Sequence, residues 1–182
     1  MRRLNAIFIV TLTSLLVATG AQASVVGSGG SVGATAGAKV MPSDGQAGRA
    51  KVLVIGDSVF TAFNHVASAR ELLDSQQKTM FAAQGCQKLV DPGCFAWVKL
   101  SALDQLKKNA GRFSEVVVIG TGYNDRIGTP FRDAVLAITQ EAARQGVDVV
   151  WITYRQVRHV RGKATTMNKQ LGKLDPKIEN LH

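Results

Sequence analysis

The sequence predicts a three-layer α/β/α sandwich built on a parallel sheet. Three observations carry that prediction. Short apolar runs, rich in β-branched residues, stop at glycine or at polar turns, as strands buried on both faces do. Between them lie segments whose apolar residues fall three and four apart, the spacing of one helix face. The two kinds of segment alternate along the chain, the pattern of βαβ units with helices on both faces of a sheet.

The elements follow in order. Val52-Leu53-Val54-Ile55, closed by Gly56, reads as the first strand. Val59, Ala62, Val66, Ala69 and Leu73 then predict a helix, and residues 79–83 a second strand. Leu100, Leu103 and Leu106 mark another helix, with Gly111 as its stop. Val116-Val117-Val118-Ile119, ending at Gly120, is the third strand. Phe131, Val135, Ile138 and Ala142 make a helix that ends near Gly146. Residues 148–153 form the next strand and residues 163–174 the next helix. In open sheets of this kind chemistry gathers beyond the carboxyl ends of the strands, so the residues after Ile55, Ala83, Ile119 and Thr153 are the ones to weigh.

The rest of the chain frames that domain. Its 182 residues hold about one domain of ordinary size. A composition of 46% hydrophobic and 19% charged residues, with 18 Gly and 4 Pro, excludes a wholly disordered, collagen-like or coiled-coil chain. With 2 Cys and 3 His it also lacks the ligands of a multi-Cys/His zinc module. Arg2 and Arg3 precede an apolar stretch over residues 4–18, and Ala21-Gln22-Ala23 has the small-x-small pattern of a cleavage site. Residues 1–23 therefore read as a secretory signal peptide; a membrane anchor would need ~20 apolar residues. Residues 24–50, with Gly at 27, 29, 30, 33, 37, 45 and 48, read as a flexible spacer, because small residues bury too little surface to offset the entropy of ordering them. The folded domain is expected over residues 51–182. The net charge of +9 falls to +7 once Arg2 and Arg3 leave with residues 1–23, and on an exported chain it points to the cell envelope, its wall polymers or lipid head groups, rather than to nucleic acid. No basic run interleaved with aromatics argues otherwise.

Two strand ends carry chemistry. Gly56-Asp57-Ser58-Val59 follows the first strand. A Ser at such a strand-to-helix turn presents its hydroxyl at the top of the sheet, beside backbone N–H groups that have no partner inside the helix. That is a nucleophile with an anion site beside it; the structural alternative is that Asp57 or Ser58 caps the helix. Gly120-Thr121-Gly122-Tyr123-Asn124-Asp125 follows the third strand. Asn124 there is placed to direct a side-chain N–H at an oxyanion forming on Ser58; the structural alternative is an ordinary polar turn.

Taken together, the two motifs resemble those of the SGNH hydrolases, the superfamily of GDSL-type esterases and lipases. The resemblance runs from about Lys51 to the C-terminus. It is closest to small secreted actinobacterial members, which combine a Gly-Tyr-Asn-Asp segment (Gly122 to Asp125 here) with a Cys pair (Cys86 and Cys94) and a strand like Val149 to Tyr154. It implies a flavodoxin-like fold, no cofactor and no metal, and an ester substrate, either a lipid ester or an O-acylated glycan. It also implies Ser58 as nucleophile, and an oxyanion hole built from the Ser58 N–H, the Asn124 side chain and the N–H of Gly85. Gly56, Asp57, Gly122 and Asp125 would support the motifs, with Asp57 organising the turn rather than acting as the triad acid. For Cys86 and Cys94 pairing is the default in an exported chain with two Cys, and the disulfide would stiffen the rim beside the oxyanion site.

The family pattern ends with Asp-x-x-His, whose His is the general base. None of the three histidines here has an Asp three residues before it. His65 lies about two helical turns beyond Ser58 in the predicted helix and points away from it. His159 sits in a loop with Arg155, Arg158 and Arg161, cations that disfavour a nearby imidazolium. Glu179-Asn180-Leu181-His182 has an acid at the right spacing, but after a helix that returns to the bottom of the sheet these residues only begin the next strand. The expectation is a chain that ends before the last strand and helix of that fold. Its chemistry is then ester hydrolysis weakened by the absent Asp/His pair, or else that of a non-catalytic remnant or envelope-binding module.

Overall fold

The structure, a computed structural model, describes residues 49–182. The expected signal peptide, and all of the expected spacer except Arg49 and Ala50, lie outside the described residues. Four strands form one parallel sheet: β1 (Ala50–Gly56), β2 (Thr79–Ala83), β3 (Phe113–Gly120) and β4 (Asp148–Trp151), in the order β2-β1-β3-β4. The helices are α1 (Ala67–Gln76), α2 (Ala102–Lys108), α3 (Thr129–Gln145) and α4 (Arg161–Leu174).

The predicted alternation holds, and for the expected reason. Odd and even residues of each strand face opposite sides of the sheet, and both sides are apolar. Leu53, Ile55, Val117, Ile119 and Val149 are fully buried in a core shared with Leu106 of α2, Phe131, Val135 and Ile138 of α3, and Met167 of α4. Gly146, at φ +69, terminates α3 in the left-handed conformation that glycine adopts without strain. Ser101 and Asp104 close a capping box at the start of α2. On the opposite side Val52, Val54, Phe81 and Val118 meet Phe60, Phe63 and Leu73, which leave a hollow of about 250 Å³.

One predicted element is corrected. The single helix expected from Val59 to Leu73 is a 3-10 turn, Phe60–Asn64, followed by α1 after a break at Val66. The residues whose spacing suggested one helix face lie largely in solvent: Val59 is 61% and Val66 47% exposed. Phe60 and Phe63 anchor the segment instead. Their spacing of three matches the three-residue turn of a 3-10 helix, which brings their rings to 5.9 Å and sets Phe63 against Phe81 of β2 at 5.7 Å.

At the other end of the chain, Leu181 makes a parallel bridge to Val149 of β4, with the Trp151 N–H donating to the His182 carbonyl at 2.9 Å. The bridge sets Leu181 alongside β4, where the start of a further strand was expected. Among the described residues no helix is long and apolar enough to cross a membrane.

Candidate active site

Register positions the site. Gly56 pairs with Ala83 on one side and with Gly120 on the other, so β1, β2 and β3 end level and their following turns lie side by side. Phe60 locks this edge. A Cβ on either Gly56 or Gly120 would collide with its ring, so two glycines on neighbouring strands are what let the aromatic lie across the sheet end.

Ser58 follows directly and is exposed. It opens onto a cavity of about 430 Å³ lined by Val59, Phe60, Tyr123, Ile152, Val157 and Val160, with Arg155 as the charged group in its wall. Among the described residues the Ser58 N–H donates to no backbone group, whereas Phe60 and Thr61 both donate to the Asp57 carbonyl. The turn is held from below by Asp57, 1% exposed, whose Oδ1 accepts the Val59 N–H at 3.0 Å. Burial pushes the Asp57 carboxyl above its usual range, while the backbone N–H groups of Val59 and Tyr123 act in the other direction. Its Oδ2 is buried without a hydrogen-bond partner among the described residues.

The turn after β3 is bolted to both neighbours. Thr121 Oγ1 donates to the Gln87 carbonyl at 2.9 Å, and Asn124 Nδ2 donates to the same oxygen at 3.1 Å. Asp125 accepts the Leu89 N–H with both carboxylate oxygens, at 3.0 and 3.2 Å. Burial raises its pKa to about 6 against the pull of that hydrogen bond and of Lys163 and Lys88. On the other flank the Tyr154 hydroxyl donates to the Thr121 carbonyl at 2.7 Å and accepts the Trp151 indole N–H at 3.1 Å. Burial raises the Tyr154 pKa, which keeps that hydroxyl a donor. Gly122, at φ +139, leaves the space this hydroxyl occupies. Lys163 Nζ caps the Tyr123 carbonyl at 2.7 Å, and Asn168 exchanges a reciprocal pair of hydrogen bonds with the Tyr154 backbone.

The turn after β2 carries Gly85, with open space where a Cβ would be and an N–H that donates to no described backbone group. Cys86 follows at φ +60, a left-handed conformation that is strained for a residue with a side chain, and it is disulfide-bonded to Cys94.

The fold thus brings the turns of Ser58, Gly85 and Asn124 to one sheet edge. The cavity itself is walled by Ser58 and Tyr123, while Asn124 and Gly85 stand outside its lining. His65, His159 and His182 are all exposed, none lines the cavity, and none is hydrogen-bonded to Ser58 among the described residues. Phe60 and Lys163 belong to none of the motifs, and Tyr123 and Tyr154, though inside two of them, were given no role there. For Phe60 the signal was available, since glycines at two adjacent strand ends leave room for a ring. The contacts of Tyr154 and Lys163 with the β3 turn span some 30 to 40 positions and leave no local trace.

The parallel four-stranded sheet with its flanking helices is similar in fold to solved SGNH hydrolases. Solved structures bear this out at low identity. TesA superposes with a TM-score of 0.54 at 17% identity, over 72% of this chain and 76% of its own. A protein from Slackia heliotrinireducens, provisionally described as an SGNH hydrolase, gives 0.52 at 16% over 74% and 78%. AlinE4, an SGNH-hydrolase family esterase, gives 0.50 at 16% over 75% and 77%. No protein-family model and no curated protein sequence matches the chain.

Proposed function

We propose that the protein is an exported hydrolase of carboxylic esters that works through an acyl-enzyme on Ser58, with residues 1–23 as its export signal. The observation that carries this reading is Ser58 itself: an exposed hydroxyl at the mouth of an apolar cavity, beside its own unspent N–H. In the proposed first step Ser58 Oγ attacks the ester carbonyl, and the alcohol leaves with the hydroxyl proton. Water then attacks the acyl-serine, releasing the acid and returning the proton to Ser58. The oxyanion of each tetrahedral intermediate is assigned to the N–H groups of Ser58 and Gly85 and to the Asn124 hydrogen left over from the Gln87 contact. The cavity walls suit an acyl chain, from a lipid ester or an O-acylated glycan. Among the described residues no histidine is hydrogen-bonded to Ser58 or lines the cavity, so the rate expected of Ser58 is well below that of a complete triad.

Hydrolysis of p-nitrophenyl acetate by the wild type and by Ser58→Ala tests the reading. The variant is expected to fall to the buffer rate, and a fluorophosphonate probe to label Ser58 alone; equal rates would reject catalysis by this residue. The alternative, an envelope-binding module without catalysis, draws on the exposed Arg155, Arg158 and Arg161 and on the lack of a base. It predicts salt-sensitive retention on cell walls that disappears when the three arginines are replaced by alanine.

A further inference from the structure

The hydrolase reading leaves unused a pair of rings on the surface. Phe95 and Trp97 stack with centroids 4.6 Å apart and planes 6° from parallel, yet they are 47% and 50% exposed. Large aromatics left in water forgo the burial that usually holds them. This loop is built so that they cannot turn inward. The Cys86–Cys94 disulfide closes its base, and the Cys94 N–H donates to the Cys86 carbonyl at 3.2 Å. Val98, 1% exposed, plugs the space that glycine leaves at position 93. Its carbonyl accepts the Gly93 N–H, and its N–H donates to the Phe95 carbonyl, both at 2.9 Å. Through Leu89 the loop is fastened to Asp125, so it stands on the same sheet edge as Ser58.

We propose that this loop is a membrane-docking wedge that seats Phe95 and Trp97 in the headgroup boundary of an anionic lipid bilayer. Its composition favours lipid over sugar. From Val90 to Trp97 the hydrogen-bonding side chains are Asp91 and the single indole N–H of Trp97, whereas a sugar ring needs several polar partners for its hydroxyls. Val90, on the same loop, is 37% exposed, as is Ile127 at 46%, two residues past Asp125. The loop's charges are Lys88, Asp91 and Lys99, a positive balance on a chain of net charge +9, which suits acidic head groups. Aromatic rings with one apolar and one wet side settle at that depth, and two such anchors with flanking lysines supply both parts of interfacial binding.

The test does not depend on turnover, so it stands whether or not Ser58 is a nucleophile. The oxidised full chain is mixed with vesicles of phosphatidylglycerol and phosphatidylcholine, or of phosphatidylcholine alone. Of the two tryptophans, Trp151 is buried at 6% and Trp97 is not, so a blue shift and quenching by brominated lipid report Trp97. Expected are both signals on the anionic vesicles, weaker partition onto neutral ones, and, by vesicle sedimentation because the variant lacks the reporting Trp97, a drop in partition on the order of 10- to 100-fold for the Phe95→Ser/Trp97→Ser double variant. That variant should unfold at the wild-type temperature. Comparing the two proteins isolates the loop from the apolar residues near the N-terminus, which both carry. Equal partition of the double variant, an unshifted Trp97 emission on anionic vesicles, or retention on insoluble glycan without vesicle binding would each overturn the proposal.

Discussion

Asp125 shows how a residue can support a site at a cost to stability. Its carboxylate fastens the disulfide loop through Leu89, but burial raises its pKa from 3.8 to about 6. The folded protein therefore binds a proton more tightly than the unfolded chain, and stability falls as pH rises from about 4 through about 6. Asp125→Asn removes this titration. The gap between wild type and variant, read from urea unfolding at pH 4 and at pH 7, should change by up to ~3 kcal/mol, with the wild type losing ground as pH rises. Two glycines make a sharper contrast at the same scale. A Cβ at position 122 would strike the Tyr154 hydroxyl at a φ of +139, whereas one at position 85 meets nothing within 4 Å. Gly122→Ala should destabilise by ~2–4 kcal/mol. Gly85→Ala should melt within about 2 °C of wild type while, on the proposed assignment of its N–H to the oxyanion, lowering p-nitrophenyl acetate turnover on the order of 10- to 100-fold. Thermal melts and p-nitrophenyl acetate rates on the same samples separate the two.

Among the elements, the 3-10 turn at Phe60–Asn64 does most to shape the cleft. Phe60 borders both the cavity at Ser58 and the hollow over Val54 and Val118, and Ile152 lines both as well. The ring is thus a partition between two apolar spaces. Phe60→Ala is expected to cost ~2–4 kcal/mol and to join them, raising the rate on p-nitrophenyl octanoate relative to the acetate. An unchanged chain-length preference would show that the hollow is closed off by something other than this ring. This is also where sequence reading failed. Val59, Ala62, Val66, Ala69 and Leu73 have impeccable helical spacing, yet α1 buries none of its residues. Periodicity records which residues share a face, not whether a neighbour exists to cover it, and the Phe60–Phe63 pair, three apart, outweighed the longer pattern. α3 is the counter-case: Phe131, Val135, Ile138 and Ala142 were legible from spacing and all four are buried, because a complete sheet face lies beneath them.

Across the whole molecule the same asymmetry sets stability. Parallel order was readable because β1 and β3 are apolar on both faces, and the location of the Ser58 and Asn124 turns at one sheet edge was readable because strand ends mark where the sheet presents its turns. The bonds from the β3 turn to Gln87, Leu89 and Tyr154 were not, since they join residues more than 30 positions apart. Those bonds tie the cleft to the well-packed face of the sheet. The side covered by α1 is thinner: Leu72 is 63% and Leu73 36% exposed, and the hollow of about 250 Å³ lies beneath. Local opening is cheapest where few apolar contacts are lost, so α1 should open without the rest of the fold, and α3, with seven buried residues, only with it. Native-state hydrogen exchange should find the α1 amides at least ~100-fold less protected than those of α3. Low urea should speed exchange in α3 far more than in α1, because only global unfolding exposes enough surface to respond to denaturant. Equal protection of the two helices would mean that α1 is held by contacts its exposed face does not show.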